Sequence, residues 1–498
     1  MSAVKSPARS RSRPRPSSRR RAAKTGWPEA GSLPSPEESA SFGKAARGLV
    51  PREDHAAFEV AFDRPDPLDL LELQARTRLS DLVPVRYGRM LASPFSYFRG
   101  AALPMASDLS GTPVTGLTVQ ACGDAHLSNF GAFGTPERRL VFDINDFDET
   151  LPGPWEWDVK RLAASVEIAG RENGFSAKDR RKVVLAAVRR YREAMRDFAS
   201  MPNMAVWYAY LDLDQLWAEA KSAVDRSLRK RMNRGLTKAR TRDSMQALGK
   251  LTEVTEGRRR IVADPPLIVS ATELAASDSG EEGDADFQSM LFGLMAAYRD
   301  TLRPDSAELL GRYQLVDLAR KVVGVGSVGT RCWIALMLGS DQGDPLFLQV
   351  KEAERSVLSD YAGPSQYGHQ GERVVVGQRF TQAASDIFLG WVRVEDGIDG
   401  RSHDYYTRQL RDWKMSADVA AMSPDWMRRY VSACGWTLAR AHARTGDRFA
   451  MAGYLGSAPV FEEAIADFAA TYADQNERDY ADLARAAKSG RIAVQTGL

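Results

Sequence analysis

Six carboxylates, one histidine and two asparagines fall within residues 122–150, CGDAHLSNFGAFGTPERRLVFDINDFDET. Asp124 and Asn129 stand five apart in GDAHLSN, and Asp143, Asn145, Asp146 and Asp148 follow in FDINDFDE. A carboxylate that orients or deprotonates a hydroxyl, beside an amide oxygen that can bind a hard cation, is what phosphoryl transfer needs. Oxygen ligands of this kind suit Mg²⁺, which takes one or two carboxylates and leaves its other positions to water and substrate phosphates. A lone acid near a turn caps backbone or faces water. Two neighbouring loops with this spacing point to a chemical site.

The complement to such a cluster stands some two hundred residues later. VGVGSVGT, residues 323–330, carries Gly324, Gly326, Ser327 and Gly329. Glycines let backbone N–H groups approach phosphate oxygens without side-chain clash. A dinucleotide-binding glycine motif needs a strand before it and a helix after it. Here the apolar run RCWIALML follows, so a glycine hairpin covering a nucleotide's phosphates fits better. LFLQVKEA then places Lys351 at the end of an apolar strand, where a lysine would bind the α- and β-phosphates. Such a lysine needs an acidic partner, and Glu372 is the candidate, with Glu352 and Glu354 as nearer alternatives.

These residues need elements to position them. GLTVQACGD reads as a buried strand entering a turn, and RRLVFDIND as a second strand leaving it. Residues 64–100 read as short helices and turns. Ser176 and Asp179 form a capping box before Val184, Val188, Tyr191, Met195 and Phe198, which share one helix face. Near residue 315 the texture changes to apolar runs between glycine turns, with strands expected around 321–324, 331–338 and 346–350. DIFLGWVRV and HDYYTRQL extend the β character. A helix starts at Ser423–Pro424, placing Trp426, Tyr430, Cys434, Leu438 and Ala441 on one face, and a last helix runs from Val460 to about Ala487.

The chain of 498 residues has room for two or three folding units, and its 44% hydrophobic and 27% charged composition is that of a soluble protein. No apolar run approaches the roughly 20 residues of a membrane helix. Residues 1–24 hold nine Lys and Arg and no acid, so removing these from the net +3 leaves −6 for the rest. This Ser-, Pro- and Arg-rich start lacks the apolar centre of a secretory signal and reads as part of a disordered tail over residues 1–45, capable of nonspecific contact with nucleic acid. Cys122, Cys332 and Cys434 are too scattered for a disulfide framework or a zinc site, which suits the cytoplasm.

GDAHLSN, then NDFDE, then WEWDVKRLA resembles the catalytic segment of aminoglycoside phosphotransferases, choline kinases and related kinase-like enzymes. Asp124, His126 and Asn129 match their catalytic loop. Asp146 matches the metal-binding Asp, because Asp158 lies twelve residues beyond it, and Asp143 is the competing assignment. Cys122 departs from the pattern, standing where the loop usually places its first histidine. PVRYGRMLASPFSYFRG, GDAHLSNFG, NDFDETLPGPWEWDVKRL and QAASDIFLGW resemble a bacterial family known as domain of unknown function 2252.

The kinase resemblance implies an α+β, two-lobed, protein-kinase-like fold. The order of the motifs is inverted relative to kinases, so a circular permutation is expected. Residues 46–287 would hold an N-terminal segment with the catalytic loop and helical part of the large lobe, 288–415 a β-rich nucleotide lobe, and 416–498 the helices completing the large lobe. The implied activity is ATP- and Mg²⁺-dependent transfer to an acceptor hydroxyl, on a small molecule in preference to a protein. Asp124 would orient or deprotonate the hydroxyl. Asn129 and Asp146 would bind Mg²⁺, with Asp148 helping. Lys351, held by Glu372, would clamp the phosphates beneath Gly324, Gly326, Ser327 and Gly329. His126 and Asp158 would be structural. Arg, Tyr and Trp residues of 86–99 and 155–157 are candidates for the acceptor pocket. A nucleotide-binding pseudokinase and a nucleotidyl transferase are the alternatives. A metal-dependent phosphohydrolase ranks lower, because His55, His369, His403 and His442 show no Asn-His pair.

Overall fold

Val184, Val188, Tyr191, Met195 and Phe198 are all buried, as their spacing requires, on the helix Ala177–Ala199. Its N-cap is Ser176, whose side chain accepts from the Asp179 N–H. The computed structural model of the chain describes residues 33–223, 226–255, 257–274, 283–397, 399–410 and 413–498. The fold is α+β, with long helices and several antiparallel sheets. Among the described residues no helix is long and apolar enough to cross a membrane. The three cysteines are free and buried.

Four long helices build the largest core: Trp155–Glu172, Ala177–Ala199, Pro424–Thr445 and Val460–Ser489. The first is surrounded by the others, and Trp155 stacks on Tyr191 with centroids 5.8 Å apart. Pro424 follows the N-cap Ser423, where proline's missing N–H costs nothing. Beside these helices lies a small sheet in the order Met415–Ser416, Phe130–Gly134, Leu140–Ile144, Leu211–Asp212. Thr118–Ala121 pairs instead with Leu151–Pro154, so the chain between Ala121 and Leu151 forms one excursion whose ends are held side by side.

The second layer is a six-stranded antiparallel sheet. Its order is Gly390–Val394, His403–Gln409, Pro345–Glu352, Cys332–Leu338, Gln314–Lys321, Ile268–Ser270. The strand expected around 321–324 lies upstream, at Gln314–Lys321, because the glycines begin immediately after it. Both faces of the sheet are covered, one packing around Tyr298 and Leu302 and the other around Leu248 and Leu251. The helix Gln370–Thr381 packs between this sheet and the helix Pro424–Thr445.

The expected disorder to residue 45 does not hold for its last part. Pro36–Ala46 is a helix with a complete capping box between Ser35 and Glu38, and it packs on the helix Arg448–Leu455. The S-P-E-E stretch is thus a helix start, and Gly43 lets the two backbones touch: a Cβ there would lie 1.8 Å from the Ala450 carbonyl oxygen. Residues 1–32, with the basic cluster, lie outside the described residues.

A buried ion pair ties the helix Pro424–Thr445 to the small sheet. Arg440 Nη2 donates to Asp143 at 2.7 and 2.9 Å, and both side chains are about 1% exposed. Asp143 also accepts from the Ala383 N–H, just beyond the helix Gln370–Thr381, at 2.7 Å. Arg440→Met, which leaves that carboxylate buried and unpaired, is expected to cost about 3–5 kcal/mol in urea unfolding. Adding Asp143→Asn should recover part of the loss. Recovery of nothing would mean that Arg440 acts through packing alone.

Candidate functional site

The excursion after Ala121 is shaped by a carboxylate on the first turn of the helix Trp155–Glu172. Asp158 accepts from the Cys122 N–H at 2.8 Å and the Gly123 N–H at 3.0 Å, and His442 Nε2 lies 3.1 Å away. This is the structural role expected of Asp158. Gly123 has φ +81°, and a Cβ there would lie 2.3 Å from the Glu149 carbonyl oxygen, so the two loops touch through a glycine. Arg161, one turn along from Asp158, donates through Nε to Asp124 Oδ1 at 2.8 Å. Asn129 donates through Nδ2 to the Asp124 carbonyl at 2.7 Å, which fixes its amide and frees its oxygen. His126 accepts from the Ser128 N–H at 3.2 Å, and burial pushes its pKa down to about 4, so it is neutral at pH 7.

The opposite wall comes from the six-stranded sheet. Lys351 and Tyr406 are register partners on adjacent strands, and side chains two apart share a face. Gln349, Lys351, Tyr406 and Arg408 therefore form one polar cluster. Lys351, 3% exposed, contacts Asp148 directly, and its Nζ lies 3.6 Å from Asp146 Oδ2. The Tyr406 hydroxyl donates to the other Asp148 oxygen at 2.7 Å. Arg408 donates to the Asn145 carbonyl at 3.0 Å and to Gln349 at 3.1 Å. Residues 203 positions apart thus share one ion pair.

Charge sets the state of each group. Burial raises Asp146, but Lys351, Arg408 and Lys414 outweigh it and hold that carboxyl well below the usual range. Asp148 is raised, by burial and then by Asp146. Burial lowers Lys351, yet the two carboxylates hold it well above its ordinary value. Repulsion from Arg408, then burial, pushes Lys414 down to about 7. Burial pushes Glu149 up to about 7.

The glycine turn closes the third side. Gly324 and residues Val325–Ser327 bridge the paired strands Gln314–Lys321 and Cys332–Leu338, as expected of a hairpin. Ser327 Oγ reaches Asp148 Oδ2 at 3.4 Å. Gly324, Gly326 and Ser327 line a cavity of about 370 Å³ shared with Asp124, Asn129, Asp146 and Lys351. Gly329 does not line it. With φ +90° it turns the chain against the Arg78 side chain.

Several expectations need correction. Glu372 is not a partner of Lys351: among the described residues, the carboxylates within 4 Å of that ammonium are Asp148 and Asp146. Glu372 lies in the first turn of its helix, where His369 caps its N–H, and the next residue, Arg373, faces inward. Arg373 donates to the carbonyls of Asp148, Thr150 and Glu354 at 2.7–2.8 Å, clasping the acidic loop to the sheet. Glu352 is taken by Arg331 and His403. Asp143 is committed to Arg440 and does not line the cavity, whereas Asp146 does. Trp155 and Trp157 are core residues, not pocket walls, whereas Arg86 and Arg99 do line the cavity.

Among the described residues no group of three or more His, Cys, Asp or Glu could hold a metal unaided. The donor set instead fits a cation that arrives with phosphates. Asn129 and Asp146 offer oxygens to the cavity, while both Asp148 oxygens are engaged by Lys351, Ser327 and Tyr406. Two protein oxygens are what Mg²⁺ with a nucleotide uses.

A family model described as an uncharacterised protein conserved in bacteria, DUF2252, matches residues 78–486. The chain belongs to this family. The match runs from Arg78, which holds the glycine turn, into the last helix, so the DUF2252 region contains every wall of the cavity except Gln74. No curated protein and no solved structure matches the chain.

Gly116 and Gly123 have the same backbone, φ +80° and +81°, but nothing lies within 4 Å of a Cβ at Gly116. Gly116→Ala is expected to cost about 1 kcal/mol of backbone strain. Gly123→Ala should cost at least about 2 kcal/mol by the same unfolding measurement, because loop contact is added to strain. Equal losses would mean the two loops do not touch.

Proposed function

We propose that this chain is an ATP- and Mg²⁺-dependent phosphotransferase with a kinase-like, circularly permuted fold, acting on an acceptor hydroxyl. The observation that carries the reading is the meeting of Lys351 with Asp146 and Asp148 in one cavity with Asp124, Asn129 and the glycine turn. The succession from residue 314 also supports it: strand, glycine turn, strand, strand ending in lysine, then helix. The catalytic-loop segment precedes all of these in the chain, which is the permuted order. The helix Pro424–Thr445 would take the place of the helix that leads into the catalytic loop, and its His442 and Arg440 brace Asp158 and Asp143.

Asp124, fixed by Arg161, orients the acceptor hydroxyl toward the terminal phosphorus. The new P–O bond forms as the bond to ADP breaks, and the hydroxyl proton passes to Asp124. Lys351 neutralises phosphate oxygens, exchanging its contact with Asp148 for one with the nucleotide. Backbone N–H groups of 324–327 cover the phosphates. Mg²⁺, held by Asn129 and Asp146, would spread the charge of the transferring group. Most of the rate gain is positioning and electrostatic stabilisation.

ATP with Mg²⁺ at a hundredfold excess over Kd should stabilise the wild type by about 2.7 kcal/mol, read as a rise in melting temperature. Lys351→Ala and Asp146→Asn should lose that rise. Asp124→Ala should keep it and lose phosphoryl transfer. A wild type that shifts but never turns over would favour the pseudokinase. No shift in the wild type would sink the nucleotide site.

A further inference from the structure

The cavity has an arginine-lined wall with buried donors that nothing among the described residues satisfies. Arg86, Arg78 and Arg99 come from the short helices and turns before the catalytic loop, and all three line the cavity. Arg86 is 1% exposed. Its Nη2 donates to the Gly100 carbonyl and to Gln74 Oε1, each at 3.0 Å. Its Nε and Nη1 are buried and have no hydrogen-bond partner among the described residues. The same holds for Nε of Arg78 and Nε of Arg99. Buried guanidinium donors without acceptors are costly. Burial, then repulsion from Arg78, pushes Arg86 down to about 9, and Arg99 is lowered by burial.

Arg99 adjoins Asp124: Arg161, which donates to Asp124, also donates to the carbonyl of Phe98, the residue before Arg99, at 2.8 Å. The Asp124 carboxylate favours the charged form of Arg99, and Arg99 in turn lowers His126. The Arg99 carbonyl lies 3.3 Å from where a Gly326 Cβ would sit, so the arginine wall abuts the inner side of the glycine turn. The nucleotide's phosphates would already be met by Lys351, Arg408 and Lys414 on the sheet side. We propose that Arg86, Arg99 and Arg78 form an oxyanion subsite at the acceptor end of the cavity, so that the acceptor is an anionic alcohol carrying a phosphate or carboxylate group. The hydroxyl would sit at Asp124 and the anionic group on the arginines. Guanidinium donors make charge-assisted hydrogen bonds to both oxyanions, which favours such groups over neutral ones. The acceptor assignment rests on the phosphotransferase reading. The subsite itself does not.

Inorganic phosphate, titrated without nucleotide against matched chloride, probes the subsite directly through melting temperature. Phosphate should stabilise the wild type and Lys351→Ala, and the apparent affinity should fall at least tenfold in Arg99→Gln. Arg99 is partly exposed, so this variant tests the idea even if Arg86→Gln fails to fold. Loss of the shift in Lys351→Ala with retention in Arg99→Gln would place the anion at the nucleotide end and overturn the proposal. No shift, or an equal one in all variants, would mean that only water or general ionic effects meet those donors, and would overturn it too. ATP consumption is then followed with pairs of alcohols differing by one anionic group, such as a sugar and its phosphate. The anionic member should be turned over at least tenfold faster, and equal or faster use of the neutral member would overturn the acceptor assignment. If ATP fails to bind while the phosphate shift still depends on Arg99, the phosphotransferase reading falls and the anion subsite stands.

Discussion

A lysine ammonium at 3% exposure can remain charged only beside carboxylates, and Lys351 meets that requirement with two that come from another part of the chain. The sheet supplies the cation and the loop after Leu140–Ile144 supplies Asp146 and Asp148, so neither charge is satisfied unless the two layers close on each other. Burying either partner alone would cost several kcal/mol. The other contacts support this closure. Tyr406 takes the second Asp148 oxygen, Arg408 holds the Asn145 carbonyl, and Arg373 clasps three carbonyls around the acidic loop.

The same closure gathers positive charge around the cavity. Six cations, Arg78, Arg86, Arg99, Lys351, Arg408 and Lys414, line it, and Lys414 is pushed down to about 7 chiefly by its neighbour Arg408. Groups crowded in this way gain from an incoming polyanion, and strongly perturbed pKa values gathered in a cleft are characteristic of functional sites. The carboxylates Asp124 and Asp146 lie in this positive field.

Much of the site was legible in the sequence because its residues are rare in combination. The GDAHLSN loop, the NDFDE segment and the glycine hairpin followed by a strand-end lysine all lie in the cavity. Asp158 was legible through the resemblance of WEWDVKRLA, and its spacing favoured Asp146 over Asp143. Periodicity located the helices, since each buries a single apolar face. What the sequence hid were contacts set by three-dimensional register. Lys351 faces Tyr406 because of strand pairing, and nothing local in HDYYTRQL announces that. Glu372 and Arg373 differ by one helical step, about 100°, and only the packing of Gln370–Thr381 decides that the arginine faces inward. The tryptophans of WEWD looked like pocket walls, yet the helix that bears them is enclosed on all sides, and Trp155 is fully buried.

The central claim is that one cavity between the sheet and the catalytic loop holds a metal–nucleotide complex. The most direct measurement is a crystal structure with a non-hydrolysable ATP analogue and Mn²⁺, whose anomalous signal locates the cation. The account predicts a single strong peak between Asn129 and Asp146, with the terminal phosphates beside Lys351 under residues 324–327. A nucleotide bound elsewhere, or a cation held away from Asn129 and Asp146, would contradict it.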